Sequence, residues 1–111
     1  MKQKNIDSAK AVQMLDGVTR RTLSYNQQAM LCHIEIKKGS TIPLHHHVPV
    51  QIGMCLSGQL RFFGETDQDG FGVGSGDSYV MESNKPHGCE ALEDSTVVEV
   101  FTPSREEYAD F

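Results

Sequence analysis

The sequence has no apolar run long enough to cross a membrane, no C-x-x-C pair and no excess of positive charge. Each absence removes a class. A membrane-spanning helix needs about 20 consecutive apolar residues, so no membrane partner is expected. Ten Lys and Arg stand against fifteen Asp and Glu, a formal net charge of −5. That balance repels a phosphate backbone and makes nucleic acid a poor partner. The three cysteines, Cys32, Cys55 and Cys89, are widely spaced. An odd, scattered set argues for reduced thiols in a cytoplasmic protein, each a small buried hydrophobe, and against a disulfide framework. The opening MKQKNIDSAK carries charge with no hydrophobic stretch behind it, so no signal peptide is expected. Internal repeats, linkers and low-complexity segments are absent as well.

What is present fits one domain over residues 1–111, with 38% apolar and 23% charged residues. A chain of this size can bury a core without covalent staples. Met30 to Ile36 alternates, placing Met30, Cys32, Ile34 and Ile36 on one face and His33 and Glu35 on the other. Further strands are expected over 50–56, 60–63, 78–81, 88–92 and 96–101. Ala11 to Leu15 reads as a short helical turn or an edge strand. Four glycines crowd Gly70 to Asp77, but their spacing is not GxGxxG and no helical pattern follows. Turns and tight bends explain them better than a phosphate loop. Regular short strands with Gly- and Asp-rich turns predict an all-β sandwich or barrel. Pro103 ends the last strand, and Ser104-Arg105-Glu106-Glu107 has capping-box spacing, which predicts a short C-terminal helix.

The histidines carry the chemistry. In an extended chain His45 and His47 point the same way, and Gln51 keeps that parity. His87 stands forty residues after His47, after Asn84-Lys85-Pro86, and can complete a set of three imidazoles. Imidazoles with an oxygen donor suit a divalent transition ion. A histidine run alone can also be a solvated loop, and Gln51 can hydrogen-bond beside a metal without touching it. Near the C-terminus, Glu99 and Phe101 share a face of the final strand, with Val98 and Val100 on the other. Glu99 there can be a solvated carboxylate or an interior base. Arg105, beyond Pro103, can be a surface charge or a fork for a carboxylate.

The frame Gly39-x5-His45-x-His47-x3-Gln51-x6-Gly58 resembles the first motif of the cupin superfamily, with Gln51 where Glu is usual. Gly76-Asp77, then Pro86-His87, is similar to the second motif, with Glu82 and Asn84 replacing its usual proline and glycine. The motifs lie at 39–58 and 76–88. The resemblance implies a jelly-roll barrel, a double-stranded β-helix, with a metal inside. It also implies a homodimer paired through a sheet, since Ile52, Met54 and Leu56 face away from Gly53 and Cys55. With Gln51 in place of Glu, all four ligands are neutral and the ion keeps its full dipositive charge. Such an ion is a stronger Lewis acid and suits an anionic substrate.

The tail Glu99-x-Phe101-x-Pro103-x-Arg105, together with HxHxxxQ, resembles the KdgF-type cupins of pectin and alginate breakdown. These open 4,5-unsaturated monouronates into linear keto forms. The resemblance implies His45, His47, Gln51 and His87 as ligands of one zinc, nickel, iron or manganese ion. It implies Glu99, Phe101 and Arg105 as active-site residues acting on a small sugar acid. Arg105 would pair with the uronate carboxylate, Phe101 would shape the wall, and Glu99 would move a proton as the cyclic enol ether is hydrated and opens. Glu99 stands where that family has Asp, and a shift of about 1 Å at a catalytic group can cost on the order of 100-fold. The alternatives are another metal-dependent cupin, such as a dioxygenase, or a cupin that binds a small molecule or sugar without chemistry.

Overall fold

In the computed structural model, which describes residues 1–109, the alternating segments pair into two antiparallel sheets. The strands are β1 (Ala11–Leu15), β2 (Val18–Tyr25), β3 (Met30–Ile36), β4 (Thr41–His45), β5 (Val50–Ser57), β6 (Gln59–Phe63), β7 (Phe71–Gly74), β8 (Ser78–Met81), β9 (His87–Ala91) and β10 (Ser95–Thr102). One sheet runs β1-β2-β3-β10-β5-β8 and the other β4-β9-β6-β7. Their inner faces pack together, as alternating strands require. Met30, Cys32, Ile34 and Ile36 of β3 are buried, and so are Cys55, Leu60, Phe62, Val73, Val97 and Phe101. Each large apolar side chain buried this way contributes about 1.5–3 kcal/mol. This is the all-β architecture expected from the strand spacing, and the jelly-roll barrel that the resemblance implies.

Among the described residues, six buried ones are polar: Arg20, Thr22, Gln51, His87, Ser95 and Glu99. Three of them, Gln51, His87 and Glu99, belong to the residues singled out above. Polar groups are excluded from a core unless something satisfies them, so this interior holds more than packing.

Local chemistry sets the turns. Gly39, Gly58 and Gly76 all have positive φ. At Gly58, between β5 and β6, a Cβ would also lie 2.3 Å from Ser95 Oγ, so only glycine fits. Asn84 takes φ 60 in the turn before β9. Asn tolerates the left-handed region better than other side chains, which explains how it replaces the usual glycine.

Several expectations are corrected. Of the two readings of Ala11–Leu15, the edge strand is the one formed, paired with β2. Phe71–Gly74, read as turn, pairs with β6, and Thr41–His45 is a strand that periodicity did not single out. The C-terminal helix does not form; Glu106–Tyr108 makes one 3₁₀ turn. The Ser104 hydroxyl donates to the Asn26 carbonyl instead of capping a helix, and Arg105 at the cap position makes no side-chain cap bond. The three cysteines are free and buried. Burial pushes the Cys32 thiol up to about 11 and Cys89 to about 12, which keeps both protonated and inert. Among the described residues, no helix is long and apolar enough to cross a membrane.

Candidate metal centre

The two sheets bring the histidines together by different routes. In the four-stranded sheet His45 at the end of β4 lies opposite His87 at the start of β9. Their ring centroids are 4.5 Å apart. His47 lies outside any strand, in the 46–49 connection that carries the chain from β4 in one sheet to β5 in the other. The parity that paired His45 with His47 therefore does not run through an extended chain. The crossing itself turns His47 inward, with its ring 4.9 Å from that of His87. The His47 carbonyl accepts from Asn84 N–H at 2.8 Å, tying this crossing to the turn that delivers His87.

The imidazoles are locked in one tautomer. Nδ1 of His45 donates to Pro43 O at 2.8 Å, Nδ1 of His47 to Pro49 O at 2.8 Å, and Nδ1 of His87 to Lys85 O at 2.7 Å. A carbonyl can only accept, so each Nδ1 carries the proton and each Nε2 keeps a lone pair. A ligand atom from each ring lies within 4.8 Å of the others. His87 Nε2 is buried with no hydrogen-bond partner. Burial lowers the pKa of His47, and that of His87 to about 4, so both rings are neutral at pH 7. Neutral, oriented imidazole is the form that binds metal.

Gln51 adds an oxygen. Its Oε1 lies 3.1 Å from His47 Nε2. With the tautomer above, two lone pairs face each other, an arrangement that favours a cation between them. Neighbouring ligands on an ion bound at about 2.0–2.1 Å stand roughly 3.0–3.4 Å apart, which agrees with this spacing. The donor set, three imidazole nitrogens and one amide oxygen, thus fits a divalent transition ion.

Glu99 and Phe101 face the interior from β10 and are almost fully buried, while Val98 and Val100 lie on the outer face. Glu99 Oε2 accepts from Gln51 Nε2 and from the Tyr79 hydroxyl, each at 2.5 Å. Burial raises the Glu99 pKa, opposed by those two hydrogen bonds and by Arg105. Arg105 is not a free rim charge. Its guanidinium carbon sits 4.1 Å from the Tyr108 ring centre and 5.2 Å from that of Phe101. Nε donates to Glu107 at 2.7 Å, and the side chain is only 13% exposed. The Tyr108 carbonyl accepts from Thr22 Oγ1 at 2.6 Å, which pins the tail over the cavity. That cavity, about 50 Å³, is lined among others by His45, Gln51, His87, Glu99, Phe101 and Arg105. Tyr79 and Tyr108 were not singled out from the sequence. Tyr79 was legible in principle: it shares parity with Met81, and both point inward.

Residues 32–102 match the cupin domain family. Among curated proteins, the chain is similar to the pectin degradation protein KdgF of Dickeya dadantii, 25% identical over 95 residues that span 84% of each chain. Among solved structures, KdgF from a Halomonas species superimposes with a TM-score of 0.84 at 25% identity, over 93% of this chain and 95% of that one. An RmlC-like cupin from Shewanella frigidimarina gives a TM-score of 0.85 at 21% identity, over 98% of this chain and 100% of that one.

Proposed function

The chain belongs to the cupin domain family, and from that premise we propose that it is a metal-dependent enzyme that opens 4,5-unsaturated monouronates into linear keto acids. The observation that carries this reading is a cluster of three convergent imidazoles, two of which, His45 and His87, line one cavity with Gln51, the buried Glu99 and Arg105. Similarity to two KdgF proteins supports the substrate class. His45, His47, His87 and Gln51 would hold a divalent ion, which would supply Lewis-acid charge for polarising a substrate oxygen. Zinc, nickel, iron and manganese all suit these donors.

The opening balances without the hydration expected above: it is an isomerisation with no net water. The anomeric hydroxyl loses its proton and the bond from its carbon to the ring oxygen breaks, leaving an aldehyde. The released electron pair becomes an enol, and a proton added at C4 gives the ketone. Glu99 accepts and returns the proton; its burial strengthens it as a base. The terminal nitrogens of Arg105 pair with the uronate carboxylate. Phe101 forms the wall that keeps bulk water out.

The test is direct. Metal-loaded protein is mixed with freshly made unsaturated monouronate and the enol-ether absorbance is followed. The expected result is a loss faster than the no-enzyme control that a chelator abolishes. Metal-bound protein that leaves the control rate unchanged contradicts the proposal. Dioxygen uptake in that case would point to an oxygenase, and tight binding without product to a binding protein.

The free, buried thiols fit a reducing cytoplasm. The partner we propose is a second copy. Ile52, Met54 and Leu56 of β5, Val80 of β8 and Val100 of β10 form an exposed apolar stripe. The outward positions of these three strands carry no charge, whereas the outer face nearer β2 and β3 holds the Arg21–Glu35 ion pair. An uncharged apolar stripe can meet its own copy across a two-fold axis without repulsion. Sedimentation equilibrium is expected to show a dimer, and Ile52→Asp a monomer. A monomeric wild type contradicts this pairing.

A further inference from the structure

Tyr79 has no part in the reaction above, yet it reaches the centre of the site. Gly53 pairs with Tyr79 of β8 on one side and with Glu99 of β10 on the other. The three residues form one row across the sheet, all facing inward. The Tyr79 ring lies over the glycine: a Cβ at Gly53 would sit 2.4 Å from both Cζ and Oη. Gly53 is not among the glycines with positive φ. The close approach of the ring, not the backbone angle, is what requires it.

Across that gap the phenol meets the same oxygen that holds Gln51. Glu99 Oε2 accepts from the Tyr79 hydroxyl and from Gln51 Nε2. Gln51 Oε1 faces His47 Nε2 on its other side. The terminal torsion of a glutamine is broad and nearly two-fold, so the amide can turn over at little intrinsic cost. Its oxygen can bind an ion, whereas its NH₂ can only donate. A carboxylate accepts only from the NH₂, so whatever fixes Glu99 also fixes which amide atom faces the histidines. Glu99 is a long side chain, and a second donor restrains it. Burial and the Glu99 charge raise the Tyr79 pKa far above its ordinary value, so the phenol stays a donor.

We propose that Tyr79 is a positioning residue of the metal centre: its hydroxyl holds Glu99 against the Gln51 amide and so turns the Gln51 oxygen toward the ion. The proposal rests on the reading of Gln51 and the three histidines as metal ligands. Gly53 is the second half of the device, because any side chain there displaces the ring.

The experiment titrates metal-free protein with Co²⁺ and reads affinity and the ligand-field spectrum. Tyr79→Phe keeps the ring and its packing on Phe62, 4.5 Å between centroids. It is expected to weaken Co²⁺ binding on the order of 10-fold, at the lower end of what losing an outer-shell partner costs. The metal-free variant should stay folded and melt below wild type, because Glu99 loses one of its two donors. Gly53→Ala should reproduce the weakening. In a Gln51→Ala background Tyr79→Phe should cost nothing further, since no amide remains to orient. A purely structural tyrosine would lack that dependence. Unchanged Co²⁺ affinity in Tyr79→Phe, or an equal loss in the Gln51→Ala background, overturns the positioning role alone. A wild type that binds no Co²⁺ overturns the metal reading beneath it.

Discussion

Glu99→Gln is expected to lower turnover of unsaturated monouronate by about 10²–10⁴-fold, the usual worth of a general acid–base group. The substitution is informative because so little else changes. The new amide keeps an oxygen that can accept from Tyr79 and from Gln51, as Glu99 Oε2 does now. What is lost is the capacity to take a proton. KM and Co²⁺ affinity should therefore move far less than kcat, the signature of an interaction made in the transition state. Glu99→Asp is the companion. Shortening the chain pulls the carboxylate off at least one of two 2.5 Å contacts. The structure thus gives the longer residue a use: it spans from β10 to both the phenol and the amide. Full turnover in Glu99→Gln would remove the proton-transfer role.

His87→Ala is expected to abolish both metal binding and activity. His87 is the most buried of the three imidazoles, and its Nε2 has no partner among the described residues. An unpaired buried nitrogen costs about 1–3 kcal/mol. Removing the ring relieves that cost but loses packing and the Nδ1 bond to Lys85 O, so the metal-free variant should stay folded and melt somewhat below wild type. With metal the two should separate further. At a metal concentration 100 times Kd, wild type gains about 2.7 kcal/mol of stability and the variant gains none. Equal thermal shifts on metal addition would show that the ion sits elsewhere. The pH dependence has a definite sign. Burial holds His87 at about 4 when folded, below its ordinary value near 6.5. Between those limits the unfolded chain binds more protons. Metal-free stability is therefore full above about pH 6.5 and declines as pH falls toward 4.

Much of this was legible in the chain because strand alternation is a local signal. Met30–Ile36 and Ser78–Met81 come out as β3 and β8 with those bounds, and the inward parity of Glu99 and Phe101 follows from a period of two. Phe71–Gly74 was not legible, because β7 owes its state to pairing with β6, which overrides its glycines. The tail misled for a similar reason. Its capping-box spacing is real, but Ser104 finds the Asn26 carbonyl, far away in sequence, and no helix begins. His47 reached the site by a route parity does not describe, a crossing between sheets. Tyr79 was the larger omission. Its alternation with Met81 marked it as inward, but its meaning depends on Gly53 in the next strand and Glu99 in the one beyond. No single segment contains that row.

The central claim is an interior metal centre, and titrating metal-free wild-type protein with Co²⁺ tests it most directly. The account predicts one ion per chain, a ligand-field spectrum from nitrogen and oxygen donors without thiolate charge-transfer bands, and full reversal by chelator. Failure to bind, or a spectrum dominated by thiolate, would contradict it.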